Sequence, residues 1–144
     1  MPEYHPTWSS AWTYAKEGKL NEWLKLYFEE KACDYPSKND ALSAKFYFGP
    51  ANLPIRLFKR WAGPEAEMKR VIDREKWDKK VTDFERSIYY EVDLPPLIAG
   101  YKNNSFELIQ GNHLLKAYEN LGFKNVWAVI CFATREDMDA FTAQ

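Results

Sequence analysis

Four adjacent residues of the chain, Gln110–His113, have the types and the order that could hold a phosphate group. They read Gln-Gly-Asn-His and lie between a short apolar run and a helical pattern. Gly111 lets the backbone approach a ligand, and the first N–H groups of the helix after it have no partner inside the helix. The helix dipole adds about half a positive charge there. His113 could donate a hydrogen bond to the phosphate or act as an acid or base near neutral pH.

Each of these residues also has a structural interpretation, and the sequence leaves both interpretations open. Gly111 could be a plain turn glycine, and Asn112 could cap the helix. His113 could make a hydrogen bond in the core or lie exposed on the surface. Leu114 is assigned to packing, because it continues the apolar stripe of the helix.

A charged motif upstream could add to this site. Arg56, Lys59 and Arg60 recur at i, i+3 and i+4, inside a segment from Leu53 to Trp61 whose apolar residues have helical spacing. On a helix the three cations would share one face. They are therefore predicted to help bind the phosphate, with a solvated surface face as the alternative.

The local patterns around the turn predict the elements that must position it. A helix over Trp77–Tyr89 comes first, and a strand over residues 97–101 follows an extended Pro-Pro segment. A short Asn-rich turn then leads to a returning strand over residues 106–109. Gly122 ends the next helix as its C′ residue, and a strand over residues 126–132 closes the block.

The rest of the chain adds helices and one short strand. An amphipathic helix is predicted over residues 20–32, and a strand over residues 45–48 that Gly49-Pro50 ends. The tail forms a short helix that Thr134 caps. The fold class that follows is α+β (mixed α/β), a small mixed sheet flanked by helices.

Composition limits the classes of function. The 144 residues argue for one domain, and a net charge of −1 with a pI of about 6.1 counts against strong non-specific nucleic-acid binding. Cys33 and Cys131 lie far apart without a CxxC or Cys/His cluster, so we expect free thiols and no metal site. No signal-peptide pattern and no apolar run of about 18 residues is present, which predicts a cytoplasmic protein without membrane contact. The six tryptophans are predicted to lie in the core.

The segment from Asp93 to Ile130 resembles the core of the ParB/sulfiredoxin-like superfamily. Its Pro-Pro-Leu-Ile run at residues 95–98 matches the family's Pro-Pro strand. Its Gly-Asn-His turn at residues 111–113, with Ala117, Leu121 and Gly122, matches the turn and helix that follow. The resemblance is clearest over residues 77–132. It implies a single domain, 1–144, in which a ParB/sulfiredoxin-like core over 45–144 follows a helical N-terminal extension over 1–44.

Members of this superfamily include CTP-dependent DNA clamps, a sulfinic-acid reductase, a free-serine kinase and reported nucleases, and a phosphate held at the turn is their common theme. The resemblance implies that Gly111-Asn112-His113 binds a nucleotide, ATP or CTP with Mg²⁺, or another phosphorylated small molecule. Any catalysis would be phosphoryl transfer or phosphoester hydrolysis. His113 would contact the phosphate, and Glu65, in the segment where relatives carry acidic groups, would be the base or a Mg²⁺ ligand.

Three departures from the family pattern leave enzymatic activity open. Gln110 replaces the family's Asp, and Asn112 stands where sulfiredoxin has its catalytic Cys, which argues against sulfinic-acid reduction. Leu114 replaces an Arg that would clamp phosphate. Lys116 could restore that charge, but its helical phase is predicted to point elsewhere. One alternative is a catalytically inactive protein-interaction module with a Trp- and Tyr-rich patch. A second is a DNA-binding ParB-like domain, which the charge disfavours.

Overall fold

The computed structural model describes residues 6–31 and 41–143, with the side chain of Lys31 excepted, so the thiol predicted at Cys33 lies outside the described residues. Within these ranges the chain forms five long helices and six strands. The helices are α1 (Trp8–Lys16), α2 (Leu20–Lys31), α3 (Arg74–Tyr89), α4 (Asn112–Asn120) and α5 (Arg135–Thr142). The strands are β1 (Phe46–Pro54), β2 (Ala62–Gly63), β3 (Arg70–Val71), β4 (Leu97–Lys102), β5 (Ser105–Gln110) and β6 (Asn125–Phe132).

The main sheet has four strands in the order β1-β6-β4-β5. Strand β4 runs parallel to β6, whereas the β1–β6 and β4–β5 pairs are antiparallel. Strands β2 and β3 form a separate two-stranded parallel pair. A small mixed sheet with helices packed on it is the α+β architecture that the sequence predicts, and it is confirmed.

The strands alternate their side chains between two buried layers. In β6, Val129 packs with Trp23 and Leu24 of α2, while Ile130 packs with Leu115 of α4 on the opposite face. Helices α1 and α2 thus cover one face of the sheet, and α4 and α5 cover the other. The turn between β5 and α4 lies at one end of this second layer, where α3 also packs.

The helix predicted over residues 53–61 is wrong. Strand β1 continues through Gly49-Pro50, with a bulge between Phe48 and Ala51, and a single 3₁₀ turn over Ile55–Leu57 follows. The Ile55 N–H donates to the Lys124 carbonyl at 2.9 Å, so the backbone at this point pairs with the chain leading into β6. The apolar residues that suggested a helix pack instead into the layer that α4 covers.

The assignment of the tryptophans to the core holds for only some of them. Trp23 and Trp77 are 0% and 3% exposed, whereas Trp12 and Trp127 are 41% and 40% exposed. Cys131 is buried in β6 as predicted, and burial raises the pKa of its thiol to about 12. In the described part of the chain, no helix has the length and apolarity needed to cross a membrane.

Candidate functional site

Gly111 is required by the shape of the turn between β5 and α4. Its φ of 121° lies in the region that favours glycine, and a Cβ atom there would come within 2.5 Å of Leu97 Cδ2. Gly111, and not Asn112, is the N-cap of α4, and no side chain caps the helix. The cap interpretation of Asn112 is therefore wrong, and within the described ranges the N-cap residue gives no side-chain acceptor to the first N–H groups of α4.

Asn112 holds a second segment against this helix. It is 3% exposed, and its Oδ1 accepts hydrogen bonds from the N–H groups of Trp61 at 2.9 Å and Ala62 at 3.2 Å. The Trp61 indole N–H also donates to the Leu108 carbonyl at 2.7 Å. These bonds fix the segment that carries Arg60 and Glu65 beside the start of α4.

His113 lies half-buried against an aromatic and cationic surface. Its ring centroid is 4.3 Å from that of Trp77 in α3, with the planes tilted by 36°, and the Arg60 guanidinium lies 5.0 Å from the Trp77 ring. Burial, followed by the charges of Lys80, Arg60 and Arg70, lowers the pKa of His113 from 6.5 to about 4. The imidazole is therefore neutral at pH 7 and sits in a positive potential.

Arg60 is held on its other side by Glu65. The two side chains, 13% and 29% exposed, form an ion pair of 3.1 Å, and Arg60 also donates to the Ala62 carbonyl at 3.2 Å. The hydrogen bond from Arg60 is the main cause that lowers the pKa of Glu65, and the charge of Lys116 adds to it. Glu65 is therefore a carboxylate at neutral pH. Its Oε2 atom is buried and has no hydrogen-bond partner among the described residues.

The structure brings some of the predicted residues together and separates others. Arg60 lies close enough to act on the pKa of His113 and carries Glu65 with it as an ion pair, but Arg56 and Lys59 are exposed and share no helical face with Arg60. The charge of Lys116 acts on Glu65 but is not among the charges that lower the pKa of His113, so its predicted direction stays a prediction.

Sequence reasoning missed Trp77 and Lys80 as members of the site. Both lie on α3, Trp77 in contact with His113 and Lys80 close enough to act on its pKa. Their i, i+3 spacing places them on one face of the predicted helix. That spacing was the available signal, although nothing in the sequence says that this face meets residue 113.

The cavity beside the turn is small. It encloses about 40 Å³ and is bordered by Lys80, Phe84 and residues 110–114. Such a volume holds little more than a water molecule. The cavity is therefore too small to enclose a phosphate group. A larger cavity, of about 1020 Å³, lies elsewhere, along β1.

The structure is similar to two solved proteins. One is sulfiredoxin from Arabidopsis thaliana, with a TM-score of 0.46 and 18% identity over 68% of this chain and 98% of that one. The other is a C-terminally truncated chromosome-partitioning protein ParB from Caulobacter crescentus in complex with CTP-gamma-S, with a TM-score of 0.42 and 18% identity over 69% of this chain and 50% of that one. Both likenesses concern the fold alone. No family model and no curated protein matches the chain.

Proposed function

We propose that the start of α4, with Arg60, Lys80 and His113 around it, binds the phosphate group of a nucleotide or of another phosphorylated small molecule. The observation that carries the proposal is the convergence of cationic side chains on a helix N-terminus that has no side-chain cap. Unpaired N–H groups and the positive end of the dipole favour an anion at such a position.

The positive charges around the turn come from three separate segments of the chain. The positive potential at the turn therefore depends on how the fold brings these segments together. Lys80 lies on α3, Arg70 on β3 and Arg60 in the segment that Asn112 holds. Each of these cations acts on His113. A neutral imidazole keeps one N–H donor and one acceptor nitrogen, so His113 can donate to a phosphate oxygen without being protonated.

Arg60 takes the role that the family Arg would have, since Leu114 replaces that residue. Leu114 is 4% exposed and packs in the core, so it offers nothing to a ligand. The Arg60 guanidinium comes from the chain segment before α3 and lies against Trp77, next to His113. A guanidinium can bind phosphate with two parallel hydrogen bonds. Arg60 would therefore bind a phosphate ligand better than a lysine at the same position would.

Catalysis by His113 and Glu65 stays a prediction. Arg60 bonds to one oxygen of Glu65 and lowers the pKa of its carboxyl group, which makes Glu65 a weaker base. In residues 6–31 and 41–143, no three His, Cys, Asp or Glu side chains come together to hold a metal ion. The donor set does not fit a resident Mg²⁺ ion, and Mg²⁺ with ATP or CTP also stays a prediction.

The decisive experiment follows the imidazole signals of the two histidines by NMR. The pH is titrated in the presence of inorganic phosphate, ATP or CTP, and in their absence. A bound anion within hydrogen-bond distance favours the charged imidazole, so it should raise the pKa of His113 by about 1 or more. The signal of His5 in the same sample serves as an internal control.

Two lysine variants give a matched comparison. Lys80→Ala removes a charge that acts on His113, whereas Lys79→Ala removes the exposed neighbour on the same helix. Phosphate affinity should fall in the first variant and stay unchanged in the second. The proposal fails if none of the three anions changes the pKa of His113, or if both variants weaken binding equally.

A further inference from the structure

A groove beside Trp127 adjoins the phosphate site, since Pro95 and Pro96 line both this groove and the cavity at the turn. It consists of two adjoining hollows of about 560 Å³ and 390 Å³, which share Tyr118 and Trp127 in their walls. We call it the Trp127 groove. Tyr118 lies six residues beyond Asn112, which corresponds to about 9 Å along α4. The groove is therefore near the opposite end of the same helix.

Exposed apolar side chains concentrate around this groove. Val92, Phe123 and Trp127 line it and are 53%, 44% and 40% exposed. Tyr89 and Tyr90, at the end of α3, are 77% and 70% exposed. Single exposed apolar residues are ordinary on protein surfaces, but a contiguous group of this size is typical of an interaction surface.

The smaller hollow combines aromatic rings with negative charge. Trp8 and Trp127 meet edge to face at 5.3 Å in its wall, and Glu91 and Asp93 border it. Of the described residues that line it, none is Lys or Arg. One oxygen of Asp93 accepts from the Ser9 N–H at 3.3 Å, which leaves the other oxygen for a ligand. Carboxylates beside aromatic rings attract a cation.

The larger hollow shares Glu91 with the smaller one but has a more apolar wall. Ile88 and Phe123 line it, together with Leu94 from the shared wall. An aliphatic side chain fits these surfaces, while a second cation would approach Lys124, which also lines this hollow. The two hollows therefore suit two different neighbouring side chains of one ligand.

From this arrangement we infer that the Trp127 groove docks an extended segment of a partner protein. The segment places a Lys or Arg side chain between Glu91 and Asp93, and an aliphatic side chain against Phe123. The charge complementarity of the smaller hollow selects a basic occupant, and the adjoining apolar hollow selects a peptide over a simple amine.

Two pools of synthetic peptides, blocked at both ends, test this inference. Leu alternates with Lys in one pool and with Glu in the other. The readouts are the indole N–H signals of Trp8 and Trp127 in NMR spectra and the dissociation constant from fluorescence anisotropy of a labelled peptide. The Lys pool should shift both indole signals and bind the protein, and the Glu pool should do neither.

Variants separate the contributions of charge and of apolar surface. The double change Glu91→Gln with Asp93→Asn keeps the size of both side chains and should weaken the Lys pool about tenfold, as two exposed ion pairs are lost. Trp127→Ala should weaken it at least as much. Val71→Ala is the control, since Val71 is an exposed apolar residue, 59% exposed, that lies on β3 and lines neither hollow. Lys80→Ala should leave peptide binding unchanged, which keeps this test independent of the phosphate site.

Three results would overturn the inference. The first is equal binding of both pools, or no indole shift with the Lys pool. The second is a dissociation constant for free lysine as low as that of the peptides, which would assign the groove to a small amine. The third is self-association of the wild type that Trp127→Ala abolishes, which would assign the groove to a second copy of the chain.

Discussion

Replacing Asn112 by Ala removes a side-chain acceptor that is shared by two backbone N–H groups. Among the described residues, those of Trp61 and Ala62 both donate to Asn112 Oδ1, at 2.9 Å and 3.2 Å. Ala62 is 1% exposed, so its N–H loses its partner without gaining water, whereas the half-buried Trp61 can be partly rehydrated. An unsatisfied buried N–H costs about 1–3 kcal/mol, which gives a total loss of about 2–4 kcal/mol.

Urea unfolding, followed by tryptophan fluorescence and by circular dichroism, measures this loss. For a chain of this length it corresponds to a fall in the melting temperature of about 6–12 °C. Asn112→Asp keeps an acceptor oxygen and should be destabilised less than Asn112→Ala. Asn120→Ala, at the exposed end of the same helix, should cost under about 0.5 kcal/mol. A loss below about 0.5 kcal/mol for Asn112→Ala would refute the view that these two bonds hold the Arg60 segment in place.

Three further outcomes are expected. Since the pKa of His113 falls from 6.5 to about 4 on folding, the folded state binds fewer protons than the unfolded state between these values. The contribution of His113 to the free energy of unfolding should be fully present above pH 6.5 and should be lost as the pH falls towards 4, which lowers stability by about 1–2 kcal/mol after solvent screening. Urea unfolding of His113→Gln should show a weaker fall over the same pH range. Gly111→Ala should lose about 2 kcal/mol or more in a thermal melt, because of its φ of 121° and the collision with Leu97, and a loss under about 0.5 kcal/mol would contradict this account. The Cys131 thiol, buried and with a pKa of about 12, should react with iodoacetamide only after unfolding, as peptide mass spectrometry would show, and fast labelling of the native protein would contradict its burial.

Much of the second half of the chain could be predicted because its signals are local. The hairpin at residues 103–104, the C′ position of Gly122 and the strand ending at Phe132 each follow from a few neighbouring residues. The helix predicted over 53–61 failed for the opposite reason. Its apolar spacing was real, but a pairing between Ile55 and Lys124 across the fold decided the backbone conformation.

The candidate site shows the same division. The turn at residues 110–113 could be predicted from the sequence, since a glycine followed by a helical pattern indicates a turn. The surroundings of His113 could not, because Trp61 is 51 residues from Asn112 and still donates to its side chain. Trp77 is 17 residues from Arg60 and 36 residues from His113 in the sequence. Contacts of this kind form only when helices pack against other segments. A single sequence contains no pattern that shows which distant residues will be in contact.

The bulge in β1 has a consequence for how the protein behaves at high concentration. This strand is an outer edge of the sheet, and edges of this kind can recruit strands from other molecules into aggregates. Pro50 and Pro54 offer no N–H, and the irregular register between Phe48 and Ala51 interrupts the repeat that a new strand would follow. Because of this interruption, β1 can keep an apolar side chain such as Phe48 exposed without becoming a template for fibrils.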